Sequence, residues 1–109
     1  MINSRAELIN YLKLHPPNWK SKRYLEWTKP DPGFKKQLEK VGEIKDEKYV
    51  YDYDEYWGEN APIDFSKYPY SHVEIYKLKD FNNLYFNYKE LGGHMPEDRI
   101  RLIRKELIK

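Results

Sequence analysis

A chain of 109 residues with a net charge of +2 has the size of one domain, so we expect residues 1–109 to form a single domain. The absence of cysteine excludes disulfides, thiolate nucleophiles and cysteine-ligated metal centres, and it favours a reducing, cytoplasmic location. The first residues lack the apolar core of a signal peptide, and no apolar run is long enough to cross a bilayer, so we expect no membrane partner. Aromatic residues make up 17% of the chain, and their large area can build a core that has few aliphatic side chains.

The N-terminal residues predict a helix. Ser4 and Glu7 form a capping-box pattern, in which the hydroxyl and the carboxylate satisfy amide donors of the first turn. An apolar helical stripe follows, and the His-Pro-Pro sequence at 15–17 ends it. The predicted first helix therefore spans residues 5–14.

Two further segments precede the predicted strands. Residues 18–28 fit either a short helix or an irregular stretch. After a proline- and glycine-rich turn, apolar residues recur at helical spacing, and Gly42 follows where a C-cap glycine belongs. This pattern predicts a short second helix whose apolar face is formed by Phe34, Leu38 and Val41.

Three segments alternate in the manner of β-strands. They are residues 48–53, 72–79 and 84–88. The last two are joined by a short polar connection and predict an antiparallel pair, with their apolar residues meeting on one face.

The C-terminal segment favours a helix. Pro96 suits a first-turn position, acidic residues follow it, and Ile100, Ile103 and Leu107 recur at helical spacing. The predicted fold class is therefore α+β, with N-terminal helices, a small antiparallel β-sheet of three or four strands, and a C-terminal helix packed on the sheet.

A candidate catalytic group lies on the first strand of the predicted pair. His72 and Glu74 alternate along the strand and therefore share a face. A histidine near a carboxylate can exchange protons at neutral pH, and a neighbouring cation can hold a phosphate, which suits metal-independent cleavage of RNA. His94 is a candidate second acid–base group. The alternative is that these residues form the solvated face of an antiparallel sheet.

A second candidate is a nucleic-acid surface. Aromatic and basic residues alternate between positions 19 and 27, and basic residues return near the C-terminus. Rings can stack on bases while cations meet phosphates; alternatively, the rings belong to the core and the basic residues are their solvated neighbours. The candidate nucleic-acid-binding residues are Trp19, Lys20, Lys22, Arg23, Trp27, Arg101, Arg104 and Lys105.

A third candidate is an acidic, tyrosine-rich stretch. Large rings among carboxylates are typical of protein-binding surfaces, because they supply contact area at a low entropic cost. The alternative is a strand that packs its tyrosines inward and exposes its aspartates. The candidate protein-binding residues are Tyr51, Asp52, Tyr53, Asp54, Glu55, Tyr56 and Trp57.

These patterns favour binding over catalysis. The sequence has no phosphate-binding glycine loop and no metal-ligand spacing, so we expect no cofactor and no metal site. The favoured interpretation is a small non-enzymatic binding or accessory protein, of a bacterial, phage or mobile-element type, that engages protein or nucleic acid. The alternatives are a metal-independent ribonuclease or toxin that uses His72 and Glu74, and an inhibitor or immunity-type protein. The choice between protein and nucleic acid, and the oligomeric state, stay open at this stage.

Overall fold

Four antiparallel strands form one sheet in which each strand lies beside its neighbour in chain order. The computed structural model describes residues 1–20, 23–45, 58–90 and 95–109. The strands are β1 (Leu38–Lys45), β2 (His72–Leu78), β3 (Leu84–Glu90) and β4 (Glu97–Leu102).

The predicted pair of strands at 72–79 and 84–88 is confirmed by β2 and β3. Ile75 lies opposite Phe86, and Glu74 lies opposite Asn87. Ile75 and Phe86 therefore face one side of this pair, while the other side carries Glu74 and Asn87 together with the buried apolar residues Leu78 and Tyr85. The strand predicted at 48–53 lies outside the described residues.

The predicted N-terminal helix is confirmed as α1 (Arg5–Leu14). The Ser4 hydroxyl accepts a hydrogen bond from the Glu7 amide at 3.2 Å and donates one to the Glu7 carboxylate at 3.1 Å. The serine thus caps the first turn of the helix. Leu8 and Leu12 are buried against the sheet.

The predicted second helix is wrong, because only its start is helical. A single turn, α2 (Pro32–Lys35), is followed by β1 from Leu38 onward. Gly42 is part of β1, where the backbone of Ile2 crosses so closely that a Cβ on Gly42 would stand 2.1 Å from the Ile2 carbonyl oxygen. The glycine is required by this close approach and not by a helix end. Three apolar residues over eight positions are too few to separate a helix from a strand.

The predicted C-terminal helix is also wrong, and with it the predicted fold class. The segment forms β4 and then a 3₁₀ turn at Lys105–Leu107, and among the described residues α1 is the only helix of seven residues or more. Ile100 and Leu102 face one side of the sheet while Arg101 and Ile103 face the other, and all four are buried. Residues 99–102 alternate polar and apolar side chains, but this stretch is short, and Ile100, Ile103 and Leu107 also recur at helical spacing, which favoured the wrong assignment.

Each face of the sheet carries a hydrophobic core. On one face, α1 and the segment 61–71 cover a core that includes Val73, Ile75 and Phe86. On the other face, residues 18–20 and 23–36 cover part of the sheet around Tyr85. This second core consists of Tyr24, Phe34, Leu78, Tyr85, Ile100 and Leu102.

Short pieces of chain cover both edges of the sheet. The amide of Ile2 donates to the carbonyl of Val41 at 2.9 Å along β1. At the opposite edge, Thr28 and Ile100 exchange backbone hydrogen bonds of 3.0 and 2.9 Å along β4. Because their hydrogen-bonding groups are occupied, these edges are poor templates for pairing with another chain.

Arg101 on β4 is fully buried. Its guanidinium donates to the Tyr70 hydroxyl and to three backbone carbonyls, those of Leu25 at 3.3 Å, Glu59 at 3.1 Å and Ala61 at 2.8 Å. Burial raises the pKa of Tyr70 despite the opposing charge of Arg101, so the phenol is neutral at physiological pH. Neutral oxygens thus surround the buried cation within the described part of the chain.

The chain is compact as well as cysteine-free and rich in aromatic residues. Its Cα radius of gyration is 13.1 Å, close to the value of about 13 Å typical of folded chains of this length. Among the described residues, no helix has the length and apolar character needed to span a membrane.

Replacing Arg101 with methionine is expected to destabilise the fold by about 3 kcal/mol, because buried oxygen acceptors lose their donors. The matched control is Arg99→Met, which removes a partly exposed arginine of the same strand that pairs with Glu90 and Glu97. The control should lose about 1 kcal/mol or less. The measurement is urea unfolding of both variants and the parent, and equal losses in the two variants would contradict a central role for Arg101.

Candidate functional site

A cluster of polar side chains occupies the half of one sheet face that residues 18–20 and 23–36 do not cover. The strand register places Glu43 of β1 opposite Glu74 of β2, and Lys45 opposite His72. Asn87 of β3 lies on the other side of Glu74. We call this cluster the charged face; its members are Lys40, Glu43, Lys45, His72, Glu74, Tyr76 and Asn87.

Ion pairs and hydrogen bonds connect the side chains of the charged face. Glu43 pairs with Lys45 at 3.3 Å and with Nε2 of His72 at 3.6 Å. Lys40 lies 3.0 Å from a carboxylate oxygen of Glu74 and 3.7 Å from one of Glu43. The two carboxylates are therefore bridged by one ammonium group.

These contacts shift the acid–base equilibria of the cluster. Partial burial by itself would raise the pKa of Glu43, but the hydrogen bond from Lys45 and the charges of Lys40, Lys45 and His72 outweigh it and hold the pKa below its usual value. The hydrogen bond to Glu74 raises the pKa of Lys40. Burial, together with the charge of Glu74, raises the pKa of Tyr76. At neutral pH this face thus carries a carboxylate, an ammonium group and a neutral phenol in contact.

The predicted catalytic residues His72 and Glu74 lie on this one face, but the carboxylate in contact with the imidazole is that of Glu43. His94 lies outside the described residues. The sequence reasoning missed Lys40 because the chain before Gly42 was assigned to a helix, and it missed Glu43 because no strand was predicted between Gly42 and residue 48. Ile44, an apolar residue between Glu43 and Lys45, was the signal available for a strand.

A groove opens beside the end of α1 and has a volume of about 490 Å³. We call it the basic groove. Its walls are apolar, and three cations and one carboxylate lie on its rim. The lining residues are Leu12, Lys13, Pro16, Pro17, Leu25, Leu102, Ile103, Arg104, Lys105 and Glu106.

Hydrogen bonds hold the wall of the groove that contains the two prolines. Asn82, in the turn between β2 and β3, donates to the carbonyl of Pro16 at 3.3 Å. The buried Asn83 accepts from the amides of Asn18 and Trp19, each at 3.1 Å, and donates to the Trp19 carbonyl at 2.9 Å. Since proline also has a fixed φ, this wall is rigid before any ligand arrives.

The rim cations differ in their partners. Arg104 donates to Glu106 and to the carbonyl of Glu59, each at 3.1 Å. Lys13 and Lys105 are exposed and form no ion pair with any residue that the structure describes. Two of the three positive charges are thus available to a ligand.

The predicted nucleic-acid-binding aromatics pack inside the domain. Trp27 is 6% exposed and lies 4.7 Å, between ring centroids, from Tyr88. Trp19 is half-buried and packs on Phe34 and Phe81. Their ring faces are therefore covered by the protein's own aromatic side chains.

The predicted basic residues do not form one surface. Arg101 is buried, as described above, and the guanidinium of Arg23 lies over the ring of Tyr24 at 4.9 Å. Lys20 is exposed, and Lys22 lies outside the described residues. Arg104 and Lys105 line the basic groove together with Lys13, which the sequence reasoning had assigned only to the end of the helix.

The predicted protein-binding residues Tyr51, Asp52, Tyr53, Asp54, Glu55, Tyr56 and Trp57 lie outside the described residues. The inhibitor or immunity-type interpretation rests on them and stays a prediction. Within the described ranges, no group of three or more histidine or acidic side chains is placed to hold a metal ion.

Comparisons with known proteins identify no relative. The chain matches no protein-family model, and no curated protein or solved structure is significantly similar to it. The site must therefore be interpreted from its own geometry.

Glu43→Gln is expected to reduce the dependence of the free energy of unfolding on pH below pH 4.5. Because the folded-state pKa of Glu43 is lowered, its contribution is complete above the unfolded value of 4.5 and is lost as the pH falls through the folded value. At neutral pH the variant should lose about 1 kcal/mol or less, since the pairs are partly exposed. The measurement is urea unfolding at pH 7 and at several values below 4.5, with Glu39→Gln on the same strand as control. A slope unchanged by Glu43→Gln would contradict the ion-paired geometry.

Proposed function

We propose that this protein is a small, non-enzymatic binding protein of the cytoplasm that holds a segment of a macromolecular partner in the basic groove. The observation that carries the proposal is the combination of apolar walls with a cationic rim in one groove. A groove of about 490 Å³ falls in the range of about 300–1,000 Å³ that is typical of ligand sites. Apolar walls supply affinity, and the charges select and orient the ligand.

The rigidity of the groove also supports a binding role. The side chains of Asn82 and Asn83 fix the proline wall, and Arg104 is held by Glu106 and the Glu59 carbonyl. A site that is already ordered loses little conformational entropy when a ligand binds. The groove is thus suited to recognition without a rearrangement of the fold.

Reversing both unpaired rim charges, in the double variant Lys13→Glu/Lys105→Glu, is expected to weaken binding in the groove at least about fivefold. The probes are a displayed library of random peptides and pools of random RNA and single-stranded DNA, each offered to immobilised protein. The control, Lys36→Glu/Lys79→Glu, makes the same change in charge at exposed lysines outside the groove. The proposal predicts at least one pool retained by the parent and the control but not by the double variant. Retention of no pool, or equal retention by all three proteins, would overturn it.

A metal-independent ribonuclease is the second candidate, and the contacts of His72 favour it. The imidazole lies beside Glu43, while Glu74, the next residue on the same face of β2, contacts Lys40. Alternate residues of a strand are roughly 7 Å apart, which leaves room for a phosphate between His72 and Glu74.

In this candidate activity, Glu74 accepts the proton of a ribose 2′-hydroxyl as its oxygen attacks phosphorus. The bond from phosphorus to the 5′-oxygen breaks, and His72, protonated and oriented by Glu43, gives its proton to that leaving oxygen. Lys40 stabilises the charge that develops on the phosphate oxygens. The products are a 2′,3′-cyclic phosphate and a free 5′-hydroxyl, so atoms and charges balance without a metal.

We rank the ribonuclease second because the positive and negative charges of the charged face nearly cancel. Lys40 and Lys45 are both paired with the carboxylates of Glu43 and Glu74. The face therefore has little net positive charge with which to attract a polyanion. In the basic groove, by contrast, two cations are unpaired among the described residues.

If the charged face cleaves RNA, cleavage should persist in EDTA and fall at least about 100-fold in His72→Ala, the usual worth of a general acid. The assay is the rate of cleavage of labelled RNA by purified protein. His15→Ala removes an exposed histidine at the end of α1 and serves as the control that should leave the rate unchanged. Absence of EDTA-resistant cleavage by the parent protein, or equal rates for the parent and His72→Ala, would eliminate this candidate.

A further inference from the structure

We infer that the basic groove binds an acidic, apolar peptide segment of a partner protein, in which carboxylates alternate with aliphatic side chains. This inference rests on the proposed function and adds to it the chemical class of the ligand. Three properties of the groove carry it: its charge, the shape and type of its walls, and the absence of a stacking surface.

The charge of the groove selects an anionic ligand. Three cations and one carboxylate lie on its rim, and the carboxylate, Glu106, is already hydrogen-bonded to Arg104 at 3.1 Å. The ammonium groups of Lys13 and Lys105 form no ion pair with any described residue. Lysine presents a compact point charge with rotatable donors, so carboxylates can approach it from several directions.

The walls of the groove select aliphatic side chains. Among the lining residues, Leu12 and Leu102 are only 3% and 9% exposed, so the accessible apolar surface comes mainly from Leu25 and the two prolines. Burial of a leucine or isoleucine side chain from a ligand against these residues is favourable because it removes apolar surface from water. A ligand that fits must therefore carry apolar and acidic groups close together, as an acidic peptide does.

The lining residues also discriminate against nucleic acid. Single-stranded RNA and DNA are held largely by stacking of bases on aromatic rings or on guanidinium planes. None of the residues that line the groove is aromatic, and Trp19 and Trp27 pack inside the domain. The Arg104 guanidinium is engaged by Glu106, the Glu59 carbonyl and the Asn60 side chain. The positive charge is thus present without a platform on which bases can stack.

The groove itself favours a peptide that enters from solvent. Its rim cations and its prolines are accessible, and Leu14, which follows Lys13, is 67% exposed. Leu14 adds a further exposed apolar side chain at the end of α1. A flexible acidic segment of a partner can lie along this surface without a change in the fold.

The experiment measures fluorescence anisotropy of labelled synthetic peptides with the 109-residue chain. The first peptide alternates glutamate with leucine between glycine and serine spacers. The other peptides replace every glutamate with glutamine, every glutamate with lysine, or every leucine with serine. A 12-nucleotide single-stranded RNA serves as the probe for the other class of macromolecule.

The expected result is that the Glu/Leu peptide binds about tenfold more tightly than the glutamine and serine versions, since two surface ion pairs and a buried leucine each contribute modestly. Raising the salt concentration should weaken its binding. Lys13→Glu/Lys105→Glu should lower the affinity at least about fivefold, and Lys36→Glu/Lys79→Glu should leave it unchanged. Circular dichroism spectra and melting temperatures equal to those of the parent show that both variants fold.

Two failures are distinguishable. If the RNA, or a random peptide lacking acidic residues, binds in a way that needs Lys13 and Lys105 while the Glu/Leu peptide does not, the inferred class is wrong and the binding function stands. If binding of every probe is indifferent to Lys13→Glu/Lys105→Glu, both the inference and the proposed function are overturned.

Discussion

The buried guanidinium of Arg101 is the interaction on which most of the described structure depends. A cation removed from water is unfavourable unless polar groups replace its hydration shell. Here the replacements are neutral: the Tyr70 hydroxyl and carbonyls from residues 25, 59 and 61. They come from three separate parts of the chain, so the charge is stabilised only when all three have reached β4. This requirement links three parts of the chain into one cooperative unit. They are residues 25–28 along the edge of β4, the segment 58–61, and the residues just before β2.

The basic groove is a consequence of the same arrangement. Leu25, whose carbonyl accepts from Arg101, forms one wall, and the residues that follow Arg101 form another. Nearer the surface, Arg104 donates to the same Glu59 carbonyl that accepts from Arg101. The asparagines of the turn between β2 and β3 fix the remaining wall. The basic groove thus lies where parts of the chain that also contribute to the core meet at the surface.

The sequence was sufficient where structure is encoded locally. The cap at Ser4 and the polar–apolar alternation of β2 and β3 identified α1 and the central strand pair, because these signals involve residues close in the chain. Both outer strands were missed. In β1, the glycine needed for the crossing of Ile2 was interpreted as a helix C-cap. In β4, the short alternation over residues 99–102 was outweighed by the helical spacing of Ile100, Ile103 and Leu107. The indoles of Trp19 and Trp27 looked equally suited to a surface or a core, and the guanidinium of Arg101 was assigned only to a surface. Only tertiary packing distinguishes these two cases.

The charged face and the basic groove differ in the ion pairs that a partner would have to break. On the charged face, each lysine is paired with a carboxylate, and any ligand that takes one charge leaves the other without its partner. The gain from a new ion pair is then largely offset by the loss of the old one. At the rim of the basic groove, Lys13 and Lys105 have no ion pair to lose within the described residues, and the apolar walls beneath them are only partly covered. A new contact there adds to the stability of the complex without subtracting from that of the fold. For this reason we propose the groove, and not the more densely charged sheet face, as the binding surface.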